Sequence, residues 1–253
     1  MVSIIILSYN APLYTWHTLK TLKDTWKGSE YETIVLDNNS KNFTKRMLSK
    51  LKKKGLIDKL IFEKTNTLFA KGNNTASMHC DQYSEYILLL NSDIEIRDKY
   101  WLKYLQDNHK RGATSYGLCD NYPHIRGDGY CILIDRDLYN KYKLDEQFEW
   151  WWSVTKLQAQ LLNDGYAVTA VKEHEPLLHH YGGMSGTAAE NASGMKIEGD
   201  EVKRWFECGE VKVIPKVLGE NNRSFSELNL TNFYTAAMKE IKKGKRILES
   251  VKK

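Results

Sequence analysis

The sequence predicts an α/β fold: a mostly parallel, doubly wound sheet with helices packed on it. Three observations predict it. Short β-rich runs alternate with segments of helical period through the first half of the 253 residues. The run "VSIIILS" (Val2 to Ser8) is almost continuously apolar, as expected of a central strand covered on both faces. Three strand-like runs end in polar clusters, "SYN" (Ser8 to Asn10), "DNNS" (Asp37 to Ser40) and "NSD" (Asn91 to Asp93). In such sheets ligands bind beyond the carboxyl ends of the strands.

The elements follow in order. After the first strand, Leu13, Trp16, Leu19, Leu22 and Trp26 recur at spacings of three and four, one apolar face of a helix. "ETIVLD" (Glu32 to Asp37) is the second strand, and a basic helix spans Phe43 to Lys53. "KLIFEK" (Lys59 to Lys64) is a third strand, Asn66 to Cys80 a loop and helix, and "YILLL" (Tyr86 to Leu90) a fourth strand. The second half is less regular. "GYCILID" (Gly129 to Asp135) reads as a strand, Ser153 to Gly165 as a helix and "YAVTAV" (Tyr166 to Val171) as a strand. "LLHHYGGMSG" (Leu177 to Gly186) precedes an Ala/Gly/Ser-rich stretch expected to be a mobile loop. Beyond Ser224 the chain reads as an increasingly basic helical appendage.

Composition bounds the function. A hydrophobic share of 42% suits a globular core. The net charge of +5 is modest and dispersed among acids, so nucleic acid is not an expected partner. Cys80, Cys119, Cys131 and Cys208 form no CxxC pair, which disfavours a zinc site or a disulfide framework. No leader-like pattern precedes the first strand, and no apolar run nears the roughly 18 residues of a membrane span. A cytoplasmic protein is expected, at most peripheral at the inner face of a membrane.

"VSIIILSYN", "IVLDNNS", "NTLFAKGNNTA" and "ILLLNSD", in this order and spacing, resemble the family-2 glycosyltransferases of GT-A fold, closest in flavour to the rhamnosyltransferase-like branch. The likeness covers about Val2 to Ser185 and implies a catalytic domain over residues 1–186. Its nucleotide-sugar half would be 1–97 and its acceptor half 98–186. A flexible loop and helix (187–223) and a basic helix (224–253) would follow. The resemblance implies a metal-dependent transferase moving a sugar from a UDP-, dTDP- or GDP-sugar to a glycan or lipid-linked acceptor, with inversion.

It also assigns residues. Asp93 would hold Mn²⁺ or Mg²⁺ with His180, and His179 as second choice. These hard cations need only one or two protein carboxylates when phosphates and water complete the shell. Ser8, Tyr9, Asn10 and Asp37 would line the base and ribose pocket; Asn91 and Ser92 would contact ribose or phosphate. Asn66, Lys71 and Asn74 would sit near the diphosphate and sugar. The family places a glycine two residues after Asn66, where this chain has Leu68. Trp150, Trp151 and Trp152 offer indole faces to sugar rings of the acceptor.

One departure matters more. The family's proton-accepting Glu-Asp pair falls on Ser153 and Val154, which cannot accept a proton. Three readings stand side by side: a displaced base, with Glu149 first and Asp128 second; activation by the acceptor itself; or a scaffold that binds sugar nucleotide without transferring it. For the C-terminal helix, peripheral contact with an anionic membrane stands beside packing on its own domain or a second subunit.

Overall fold

The computed structural model describes residues 1–25, 30–184 and 194–217. The expected mobile loop after Thr187 falls partly, and the basic C-terminal helix with its membrane or subunit contact wholly, outside the described residues. The chain opens with β1 (Val2–Ser8), α1 (Pro12–Asp24), β2 (Tyr31–Asp37), α2 (Asn42–Lys53), β3 (Lys59–Phe62), α3 (Leu68–Ser77) and β4 (Tyr86–Leu90). It continues through β5 (Ile94–Ile96), α4 (Trp101–Asn108), β6 (Gly112–Tyr116), β7 (Leu118–Cys119), β8 (Arg126–Gly127), β9 (Cys131–Asp135) and α5 (Arg136–Tyr142). Last come α6 (Trp151–Asn163), β10 (Ala167–Glu173), β11 (Leu178–His180), α7 (Gly199–Trp205) and β12 (Lys212–Lys216).

Eight strands form one sheet in the order β12-β10-β6-β9-β4-β1-β2-β3. All its pairings are parallel except the two that β9 makes with β4 and β6. β1 lies at its heart because nothing in it needs water. Ile4 and Ile6 pack with Leu19 and Leu22 of α1, Leu48 of α2 and Leu105 of α4, while Ile5 packs with Ala70 of α3 and Leu157 of α6. Successive side chains of a strand point to opposite faces, so a continuous apolar run feeds two helical layers. The mostly parallel α/β sheet with flanking helices is the architecture the sequence predicts.

Two ribbons stand apart from the sheet: β11 pairs antiparallel with β5, and β7 with β8. The stretch 187–223, read from sequence as loop and helix, also carries an edge strand. β12 extends the sheet beside β10, with Ala170 opposite Val213. "KVIPK" escapes recognition because its side chains are mostly exposed and a proline interrupts it, both tolerable only at an edge. The chain order reverses between β1 and β4: β2 and β3 lie on one side, β4 on the other. Such a switch point opens a crevice beyond the carboxyl ends of the two strands.

Candidate active site

A cavity of about 360 Å³ occupies that crevice. Leu7 and Tyr9 from the end of β1, and Leu90, Asn91 and Ser92 from the end of β4, form part of its lining. A second wall comes from the start of α3 (Leu68, Phe69) and the start of α6 (Trp150, Trp151, Val154). The turn between β8 and β9 adds Asp128, Gly129 and Tyr130, and the end of β11 and the turn after it add His180 and Gly183.

Behind the polar end, beside the lining residues Ser92 and His180, sits Asp93, 1% exposed and not itself part of the lining. Its Oδ2 accepts the Met184 N–H at 3.0 Å, and its carbonyl accepts the Tyr181 N–H at 3.1 Å. Gly182 and Gly183 both take φ near +69° and +68°, which turns the chain back so that this amide meets the carboxylate. Oδ1 has no hydrogen-bond partner among the described residues; His180 Nε2 stands 3.4 Å from it. Asn91 Nδ2 is 3.5 Å from the same imidazole nitrogen. The Tyr130 ring stacks on His180 with centroids 4.2 Å apart, and the Tyr130 hydroxyl is anchored on His174 Nε2.

These residues fit a divalent cation. Two ligands at about 2.1 Å from one ion and at right angles lie about 3 Å apart, close to the Asp93–His180 spacing. A buried carboxylate oxygen without a donor is costly unless a cation or ligand completes it. Among the described residues no cluster of three or more His, Cys, Asp or Glu could hold a metal. A pair such as Asp93 and His180 would fit the sparse protein set of magnesium-like ions that bind with substrate phosphates. Ser92 Oγ, also buried and unpartnered, faces the same unmet demand.

His179 does not join. Adjacent residues on a strand point to opposite faces, and His179 turns away to Glu175, Nδ1 to Oε1 2.5 Å. The site therefore draws on one histidine of the pair.

The other predicted residues divide. Tyr9, Asn66, Asn91, Ser92, Asp128, Trp150, Trp151 and His180 meet around the cavity. Ser8 and Asp37 end neighbouring paired strands in register, but both side chains are buried. Ser8 Oγ lies 3.2 Å from Thr15 Oγ1. Asp37 Oδ2 accepts the Ser40 N–H at 3.0 Å while Oδ1 has no partner. Burial pushes the Asp37 carboxyl above its usual range, and hydrogen bonds from Ser40 and the charge of Lys45 offset this only in part. Asn10, at φ +52°, ties the two loops together by accepting the Lys41 N–H at 2.8 Å.

Two residues are committed elsewhere, and a third is exposed away from the cavity. Asn74 is saturated within the fold: its Oδ1 accepts from Tyr139 Oη–H (3.1 Å) and the Leu144 N–H (3.0 Å), and its Nδ2 donates to the Leu144 carbonyl (2.8 Å) and Glu146 (3.0 Å). Lys71 is exposed on α3 and does not line the cavity. Trp152 sends its indole N–H to the Met195 carbonyl at 3.3 Å and packs under the Arg126 guanidinium.

Val154, 2% exposed, forms cavity wall at the position where the sequence resemblance implies a carboxylate. Gly129 abuts it: a Cβ on this glycine would lie 3.1 Å from Val154 Cγ2. Asp128, the next residue along, lines the cavity, with Oδ1 accepting the Gly129 N–H at 2.7 Å. Glu149 is not among the lining residues; its carbonyl accepts the Phe69 and Ala70 N–H groups (3.0 and 3.3 Å) and so seats the start of α3. Sequence reasoning missed Asn38, Asn73, Phe69 and Tyr130 as lining residues. Asn38 sat inside a quoted cluster, and Tyr130 two places from Asp128; neither could be oriented without the sheet.

The profile of glycosyl transferase family 2 matches residues 3–155, more than half of the chain. The chain belongs to that family. No curated protein matches it in sequence. Among solved structures, the mannosyltransferase PcManGT from Pyrobaculum calidifontis, in complex with GDP-Man and Mn²⁺, aligns with TM-score 0.57 and 18% identity over 70% of this chain and 55% of that one. S. aureus TarS 1-349 aligns with TM-score 0.50 and 18% identity over 63% and 54%. The same protein in complex with UDP aligns with TM-score 0.50 and 19% identity over 62% and 55%. At these identities the likeness is one of fold, and this family member spans about half the length of those chains. Among the described residues no helix is long and apolar enough to cross a membrane.

Proposed function

We propose that this family-2 glycosyltransferase is a metal-dependent, inverting enzyme of the rhamnosyltransferase-like branch. It moves a hexosyl or deoxyhexosyl group from a UDP-, dTDP- or GDP-sugar to a hydroxyl of a glycan or lipid-linked acceptor. One observation carries the reading: a fully buried Asp93 whose Oδ1 lacks a donor, 3.4 Å from His180 Nε2, at the switch point of the sheet. The UDP complex of TarS and the GDP-Man and Mn²⁺ complex of PcManGT, on the same fold, support a nucleotide-sugar donor and Mn²⁺ or Mg²⁺.

Asp93 and His180 would hold the cation. When bound, it supplies positive charge to the leaving diphosphate, the term that dominates such transfers. Asp37 Oδ1, with its unmet acceptor, takes a donor N–H or O–H of the base or ribose, and Tyr9 closes that side. Asn91 and Ser92 hydrogen-bond ribose or phosphate, Asn66 orients the sugar, and Trp150 and Trp151 offer flat apolar faces to sugar rings. Asp128 accepts the acceptor's hydroxyl proton in place of the family's base; Glu149, the first choice from sequence, serves the wall through its backbone instead.

The test is a thermal shift with UDP, dTDP and GDP, each with and without Mn²⁺, on wild type and Asp93→Ala. A metal-dependent stabilisation by one diphosphate, reduced at least about 100-fold in apparent affinity by the substitution, is expected. Equal shifts in both proteins would overturn the site. Binding with neither donor hydrolysis nor transfer would favour the scaffold reading.

A further inference from the structure

Leu68 adopts φ +57°, the left-handed region that a branched, bulky residue rarely enters. The turn it occupies is tightly held. Asn66 Oδ1 accepts the Leu68 N–H at 3.0 Å. Asn38 Oδ1 accepts both the Thr67 N–H (3.0 Å) and the Thr67 hydroxyl (2.7 Å), and Asn38 Nδ2 donates to the Leu68 carbonyl at 3.1 Å. Phe69 and Ala70 then donate to the Glu149 carbonyl. Backbone strain of this kind persists where surrounding bonds over-determine it, and it clusters at ligand sites. A glycine would satisfy this backbone at no steric cost. The leucine is only half-buried, so core packing does not account for it; it lines the same cavity as Phe69, Trp150 and Val154.

We propose that the Leu68 side chain is a specificity-determining wall that sets the size of sugar the site admits, favouring a plain hexose or deoxyhexose over one carrying an N-acetyl arm. The proposal rests on the nucleotide-sugar reading above. Size alone makes the match: truncating leucine to alanine vacates three carbons, and replacing a sugar hydroxyl by an acetamido group adds three heavy atoms. The sugar is also uncharged. Among the described lining residues there is no lysine or arginine to pair with a sugar carboxylate, which would instead meet Asp128.

The experiment ranks UDP, dTDP and GDP with Mn²⁺ by calorimetry, then takes the best nucleotide and compares its hexose donor with the corresponding N-acetylhexosamine donor. The ratio of the two affinities is measured within each of wild type, Leu68→Ala and Leu68→Gly, so any uniform loss of affinity cancels. Wild type should prefer the plain donor by about 10-fold or more, and both variants should lower that ratio by about 10-fold, the scale set by a few methylene-sized contacts. A ratio unchanged in both variants, or a wild-type preference for the N-acetyl donor, overturns the proposal. So does a change confined to Leu68→Gly, since alanine removes the bulk while keeping the strained backbone. If no diphosphate binds, the donor reading itself fails, and the proposal falls with it.

Discussion

Glu95 and Asp37 are both buried carboxylates, and their surroundings differ in kind. Glu95 lies on the β5–β11 ribbon, where the Tyr181 hydroxyl donates to it at 2.7 Å and Arg97 and His17 stand at 3.6 and 4.0 Å. Burial pushes its pKa up, but His17, Tyr181 and Arg97 outweigh it and hold the carboxyl down at about 2. Asp37, at the crevice, keeps one oxygen without a donor, and burial prevails there, so its pKa is raised. Ser92 and Asp93, three and two residues before Glu95, share Asp37's condition among the described residues. Among the described residues, Asp37 Oδ1, Ser92 Oγ and Asp93 Oδ1 are buried without a hydrogen-bond partner and all lie at the switch point, where a ligand can complete the bonding. His17 Nε2 beside Glu95 and Thr169 Oγ1 on β10 share that condition away from it.

The sharpest consequence concerns Asp128, the carboxylate among the described lining residues of the cavity. Asp128→Asn should lower the turnover of sugar transfer by about 10²- to 10⁴-fold, the usual worth of a general base, while nucleotide affinity stays within a few-fold. Steady-state kinetics beside calorimetry reads both, and a turnover loss no larger than that of Glu149→Gln would move the base elsewhere.

On the structural side, Glu95→Ala should cost about 2 kcal/mol, because it leaves the Tyr181 hydroxyl without its acceptor, while Arg97 keeps its ion pair with Glu175. Urea unfolding measures that loss. A cost below about 1 kcal/mol would erase the contrast between the ribbon and the crevice.

Asp37→Asn should have the smallest effect on stability, and of opposite sign. The folded carboxyl binds a proton more readily than the unfolded one, whose reference value is 3.8. The buried charge therefore costs nothing below that value and destabilises progressively as pH rises through the raised folded value. The asparagine variant should match wild type at low pH and be more stable near neutrality, by a few degrees in Tm, yet bind the nucleotide more weakly. Unfolding curves of both proteins across pH 3 to 7 check the sign; a variant less stable at neutral pH would show Asp37 to be structural.

Local chemistry made much of this legible. A strand as apolar as Val2–Ser8 has few places to go other than the middle of a covered sheet, and three polar clusters at strand ends of such a sheet converge on one edge. The start of α6 was placed within a few residues, Ser153 expected against Trp151 observed. Other features had no local signature. β9 is readable as a strand but not as the one that runs against its neighbours, because an apolar pattern carries no direction. β6 reads "GATSY", a sequence whose strand character comes from β9 and β10 on either side of it.

The same limit governs the site. Residue types and the family resemblance were enough to name candidates: acceptor oxygens, a pair of histidines, flat aromatic faces and two carboxylates as alternative bases. Three-dimensional packing alone sorted equals from one another. His180 faces Asp93 and His179 does not because the pleat alternates; Asn74 is consumed by Tyr139 and Leu144; Asp128 reaches the cavity because Gly129 fits against Val154; and Leu68 bends left-handed because Asn38 and Asn66 hold it there. Each of these outcomes depends on partners distant in sequence, whose approach no single stretch of chain encodes.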